Sequence, residues 1–161
     1  NPIMYSAERQ SRLATADASG PWVAERQRKL YYACPGFDPE LVTKRWSEKN
    51  RAGSLSSIPS AMLPRKAIPG ALATFDLESM KLEQVYEYSD GAFPHPPTFV
   101  PRVSYDHGKQ DDGYIVVVVH KEQPKEIQVF DAAHVGKGPI ARAGAASFNP
   151  SILLHSHWME F

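Results

Sequence analysis

With 161 residues, 42% of them hydrophobic, the chain can bury the core of one domain but not obviously of two. Its 18 Lys and Arg balance 18 Asp and Glu, so no net field draws it to nucleic acid or to an acidic lipid surface. The one cysteine, Cys34, excludes an internal disulfide, a CxxC redox pair and a zinc knuckle, and its expected role is that of a small buried hydrophobe.

The chain opens on Asn1 in mid-flow, shows no charged-then-apolar leader, and contains no apolar run of membrane-spanning length. These features suggest a piece of something longer, a single incomplete domain over 1–161. Any targeting leader would then lie in the missing part, and a cytoplasmic or plastid compartment is favoured.

Residues 1–28 are polar and mixed, with a turn signal at Ser19-Gly20-Pro21, and predict a poorly ordered lead-in holding at most a short helix or an edge strand. Lys29 to Cys34 reads as a strand stopped by Pro35-Gly36. Asp38 as N-cap, Pro39 at the first helical position and Leu41, Val42, Arg45 and Trp46 at helical spacing predict one short helix ending before Gly53. Ser54 to Gly70, rich in Ser, Pro and Ala, predicts a long surface loop.

A hairpin follows, Ala71 to Leu77 and Leu82 to Tyr88 around Glu78-Ser79-Met80-Lys81. Its second strand sets Leu82, Gln84, Tyr86 and Tyr88 on one face and Glu83, Val85 and Glu87 on the other. Ser89 to Pro97 leads into an antiparallel four-stranded unit: Thr98 to Arg102, Gly113 to His120, Glu126 to Phe130, and Pro139 to Ala143. The four consecutive valines, Val116 to Val119, lack polar alternation and predict a strand buried on both faces. Asp131 to Gly138 reads as a Gly-containing connection, and a terminal strand carries His155-Ser156-His157. The sum is an all-β antiparallel meander with one inserted short helix, spaced to suit a propeller or a barrel.

All six histidines, at 95, 107, 120, 134, 155 and 157, lie in the C-terminal half. On a strand His155 and His157 share a face, so both imidazoles could reach one metal, although a satisfied structural histidine is the commoner occurrence of such a pair. His107 and His134 read as solvated loop residues, and His120, ending the valine strand, reads as exposed. Glu160 comes too early after the pair for a cupin site, and GxSxG, P-loop, GxGxxG and HExxH motifs are absent from the sequence.

Five short blocks, in this order and spacing, carry a more specific signal. They are Pro97-Thr98-Phe99-Val100-Pro101-Arg102, Asp111-Asp112-Gly113-Tyr114-Ile115, Val129-Phe130-Asp131-Ala132, Gly138-Pro139-Ile140-Ala141-Arg142, and Leu154-His155 followed by a small residue and Trp158. Together they resemble the C-terminal end of the carotenoid cleavage oxygenase family, best over 71–158. The resemblance implies the C-terminal blades of a seven-bladed β-propeller whose axis carries a non-haem Fe(II) held by four histidines. Such enzymes use O2 to split an alkene in a carotenoid, apocarotenoid or stilbene-like substrate. Neutral imidazoles suit Fe(II), and open coordination positions admit O2.

By position in the family, His155 is the implied iron ligand of this chain, with His157 as the alternative register. No catalytic side chain other than a metal ligand is implied, and Phe99 and Trp158 are expected to pack rather than to touch substrate. The implied partners are an apolar small molecule and O2, with peripheral membrane contact in the full-length parent. Where the family has Gly-Glu-Pro before its Phe-Val-Pro run, this chain has His95-Pro96-Pro97, so the carboxylate that orients the family's metal site is replaced by Pro96. No histidine precedes His95 to supply the other ligands. An isolated piece would leave sheet edges unpaired and is expected to aggregate, oligomerise or stay partly disordered. The alternative reading is a propeller remnant acting as a scaffold or binding module without a metal.

Overall fold

The strands are short because Gly, Pro and Asp interrupt the apolar runs every few residues. The computed structural model describes residues 5–6, 28–40, 43, 62–89, 91–104, 106, 109–121, 125–145 and 147–151. Within them lie two antiparallel sheets. The first runs in sequence order through β1 (Tyr5–Ser6), β2 (Lys29–Cys34), β3 (Ala71–Asp76) and β4 (Lys81–Glu87). The second is organised around β7 (Gly113–His120). On one side of it lie β8 (Glu126–Asp131) and then β9 (Ala141–Gly144), and its other edge is shared by β5 (Phe93–Pro94) and β6 (Thr98–Pro101). β6 pairs with the start of β7 and β5 with its end, Phe93 facing His120.

The expected hairpins are present, and the β6 to β9 unit follows the predicted order. Burial on β7 differs from the expectation. Ile115, Val117 and Val119 are completely buried, while Tyr114, Val116 and Val118 on the opposite face are only half-buried. The valine run is apolar on both sides, but only one side meets the core of this chain. That side packs against Phe99, Phe130 and Val135 and, from the first sheet, Tyr31, Leu72 and Tyr88. Each completely buried aliphatic side chain there contributes roughly 1.5–3 kcal/mol of transfer free energy. Leu82, placed by alternation with Gln84 and Tyr86, is exposed, and a register shift between Thr74 and Phe75 lies opposite this part of β4. Cys34 ends β2 half-buried rather than buried.

Gly113 opens β7 because nothing larger fits. A Cβ there would sit 2.5 Å from both Phe99 Cζ and the Val100 carbonyl oxygen. The connection after β8, read from sequence as a loop, is a 3-10 helix, Ala132–Lys137. Asp131 caps it by accepting the Ala133 N–H at 2.9 Å, and Gly138, at a φ of 87°, closes it with its N–H on the Val135 carbonyl. This helix joins the sheets. Tyr31 donates its hydroxyl to the Ala132 carbonyl at 3.1 Å, Gln84 donates its amide to the Ala133 carbonyl at 2.9 Å, and the Gly136 N–H donates to Gln84 Oε1 at 3.1 Å.

Of the helix predicted from Asp38, the segment Asp38 to Glu40 forms a turn in which the Glu40 N–H donates to Asp38 Oδ1 at 2.9 Å. Apart from Thr43, the remainder of that prediction lies outside the described residues, as does the terminal strand with His155, His157 and Trp158. Of the predicted lead-in, the described parts are Arg28 and the strand β1, which pairs with β2 at the edge of the first sheet. Among the described residues no helix is long and apolar enough to cross a membrane.

Phe130 touches both sheets, lying edge-on to Tyr86 at 5.3 Å while completely buried. Phe130→Ala is expected to lower unfolding stability by about 3–5 kcal/mol. Lys137→Ala, on the exposed side of the 3-10 helix, is expected to stay within about 0.5 kcal/mol. Urea unfolding of the two variants provides the comparison.

Candidate functional site

Arg102 follows β6 directly and gathers residues from three segments. Its Nη1 donates to the Tyr114 hydroxyl at 2.7 Å and its Nη2 to Asp131 Oδ2 at 2.9 Å, while Nε lies 3.0 Å from Asp112 Oδ1. The guanidinium carbon stands 4.5 Å from the centre of the Tyr114 ring. Only a planar fork with several fixed donors can serve two carboxylates and a phenol at once. The other oxygen of Asp131 caps the 3-10 helix, so this carboxylate links the guanidinium to the joint between the sheets. Its neighbour His134, read from sequence as solvated, is indeed 54% exposed at the side chain, with Nδ1 3.3 Å from Asp131 Oδ1.

The other end of β7 carries a different chemistry. The His95 N–H donates to the Val118 carbonyl at 2.9 Å, which lays the residue against the strand, and its side chain is buried with 1% of the residue exposed. Its ring centre lies 4.2 Å from that of His120, tilted by 50°, and Phe93 approaches His95 edge-on at 5.5 Å. His120 is therefore half-buried rather than exposed, and its Nε2 is buried with no hydrogen-bond partner among the described residues. Burial first, then the neighbouring His95 and Lys125, hold the His120 pKa below its ordinary value. Sequence reasoning missed this pair because a two-residue strand, β5, brings the rings together. The only available signal was His95 placed just before Pro96-Pro97, in a segment that cannot be helical.

Lys125, between β7 and β8, donates to Asn149 Oδ1 and, at 3.0 Å, to the Pro150 carbonyl. It thereby fixes the last described segment before the terminal stretch with His155. His155 and its alternative His157 lie outside the described residues, as does His107. Phe99 packs as expected, buried and stacked on Tyr31 at 6.2 Å. Pro96 is buried beside His95.

With Phe99, Arg102, Gly113, Tyr114, Phe130 and Asp131 thus placed, comparison with known proteins becomes informative. Residues 33–160 match the retinal pigment epithelial membrane protein family. The chain belongs to that family. This is the carotenoid oxygenase family that the five sequence blocks resemble. No curated protein sequence matches the chain. Among solved structures it is similar to a lignostilbene dioxygenase of Pseudomonas brassicacearum, with a TM-score of 0.53 and 22% identity over 84% of this chain. That likeness is one of fold, and the chain spans 24% of the dioxygenase.

The family implies an iron centre. Among the described residues no group of three or more His, Cys, Asp or Glu converges where an ion could be held. The His95 and His120 imidazoles form a pair without a third such donor, and the two carboxylates at Arg102 are neutralised by the guanidinium. The described residues therefore do not make the family's metal site by themselves.

Arg102→Met leaves Asp112 and Asp131 facing each other without a cation. Because the Arg102 side chain is 36% exposed, solvent screens part of the loss, and the expected destabilisation is about 2 kcal/mol. Arg102→Lys is expected to recover less than half of it, since one ammonium cannot reproduce the fork. Denaturant unfolding of the three proteins measures both.

Proposed function

We propose that this chain forms the C-terminal blades of a β-propeller oxygenase that uses Fe(II) and O2 to cleave an alkene in a carotenoid, apocarotenoid or stilbene-like substrate. In this reading His155 is the iron ligand that the segment contributes. The observation that carries it is the meeting of separate family blocks at one side chain. Arg102 from the first block contacts Asp112 and Tyr114 from the second and Asp131 from the third. A chance likeness of short words would have no reason to close into one hydrogen-bonded cluster.

The two four-stranded meanders, β1 to β4 and β6 to β9, have the form of propeller blades. The tie from Lys125 to Asn149 and Pro150 supports a constrained approach to His155, five residues beyond Pro150. The role of these residues is then positional. Bound Fe(II) would supply O2 activation, and this chain would supply one imidazole and the wall that carries it.

A second reading has its own support in Pro96. It stands, buried, where the family places a glutamate, and a pyrrolidine ring can neither orient a ligating imidazole nor offset the charge of an ion. A propeller retaining its framework without the metal would look like this.

The test uses the protein carrying this sequence, loaded anaerobically with Fe(II) and assayed for bound iron and for O2-dependent cleavage of stilbene and apocarotenoid substrates. Iron bound in near-equimolar amount, reduced more than about tenfold by His155→Ala and unaffected by His157→Ala, is the expected result. Iron unchanged in His155→Ala would remove the ligand assignment. A folded protein that takes up no iron would favour the scaffold reading.

A further inference from the structure

Phe93, His95 and His120 meet where β5 crosses the end of β7. The pairing itself is slight, two residues of β5 against Val119 and His120, with the His95 N–H on the Val118 carbonyl as one further bond. So short a strand is marginal on backbone bonds alone. Its other attachment is the contact of the two imidazoles, and that contact depends on charge, since protons on both rings would repel at this separation.

The surroundings offer a proton no counter-charge. On β5, β7 and β8 the only acidic side chains are Glu126 and Asp131. Glu126 pairs with Val119 and so stands on the opposite face from His120, where it accepts from Lys121 at 2.9 Å and lies 3.5 Å from Arg142. Asp131 does share the face of His120, but it pairs with Tyr114, six residues or roughly 20 Å along the strand, and is committed to Arg102. The charged group acting on His120 itself is a cation, Lys125. Phe93 supplies an aromatic edge, which repels rather than accommodates a positive ring.

We propose that the His95 and His120 imidazoles form a proton-sensitive latch, which holds β5 on the end of β7 while both rings are neutral and releases it when the pair takes up a proton. The direction follows from linkage. His120 has a folded pKa depressed below its ordinary 6.5, so the docked state binds fewer protons than the released one. Docking is therefore fully favoured above pH 6.5 and is lost progressively as pH falls from there through the depressed value. Release would free the Phe93 to Pro97 segment that feeds β6, and with it the approach to Phe99 and Arg102. The inference stands whether or not the protein binds iron.

Hydrogen exchange of the Phe93 and His95 amides in the protein carrying this sequence tests it, at pH 7.5 and 5.0, corrected for intrinsic exchange and referred to β8 amides. Opening of β5 is expected to rise roughly tenfold or more at the lower pH, the scale of two sites coupled by one pK unit or more. His120→Gln should remain closed at both pH values, and His120→Lys, with a permanent charge, should be open at both. His120 is half-buried, so neither variant removes a core side chain. An acid-induced opening that persists in His120→Gln, a wild type whose β5 exchange does not change with pH, or a His120→Lys protein closed at pH 7.5 would each overturn the latch.

Discussion

One guanidinium sets the geometry of the second sheet. Arg102 leaves β6, a strand of only four residues, and would be free to swing were it not held by Asp112, Tyr114 and Asp131. Each partner sits where a strand begins or ends: Asp112 just before β7, Tyr114 on its second residue, Asp131 closing β8. The fork therefore fixes the relative heights of three strands. Asp131 carries the constraint further, because its second oxygen caps the 3-10 helix whose carbonyls receive Tyr31 and Gln84 from the first sheet. Loss of the fork would leave two carboxylates with partly unmet charge at the place where the sheets are joined.

β7 thus has two unlike ends. At Gly113 and Tyr114 charges are paired and the backbone is pressed so closely on Phe99 and Val100 that a side chain at 113 is excluded. At Val119 and His120 the neighbours are aromatic rings, Lys125 is the nearest cation, and a proton is poorly tolerated. Between them the inward valines and Ile115 supply the apolar burial that holds the strand. The arrangement leaves electrostatics free to differ between the ends without disturbing the core.

Membership of the carotenoid oxygenase family agrees with the frame of this chain, and the departures from the family lie next to its end rather than in that frame. Pro96 replaces a carboxylate, and the adjacent His95 is drawn against His120 instead of facing solvent. The likeness to the lignostilbene dioxygenase covers 24% of that protein, so a complete metal centre would draw on residues that other parts of such a propeller supply.

The sequence alone determined the order of the strands and their turns, because alternation, β-branched runs and Gly or Pro breaks are local properties read within a few residues. It also carried the family, since five blocks kept their order and spacing. Some features depended on distant groups. Whether both faces of the valine strand are covered depends on what packs there, and only one face meets the core. The 3-10 helix was hidden because its cap, Asp131, also serves an arginine 29 residues away. The contact of His95 with His120 rests on a two-residue strand with no periodicity to announce it. Burial, counter-charge and ring contact are set by which segments meet in space, and that was decided by the tertiary structure.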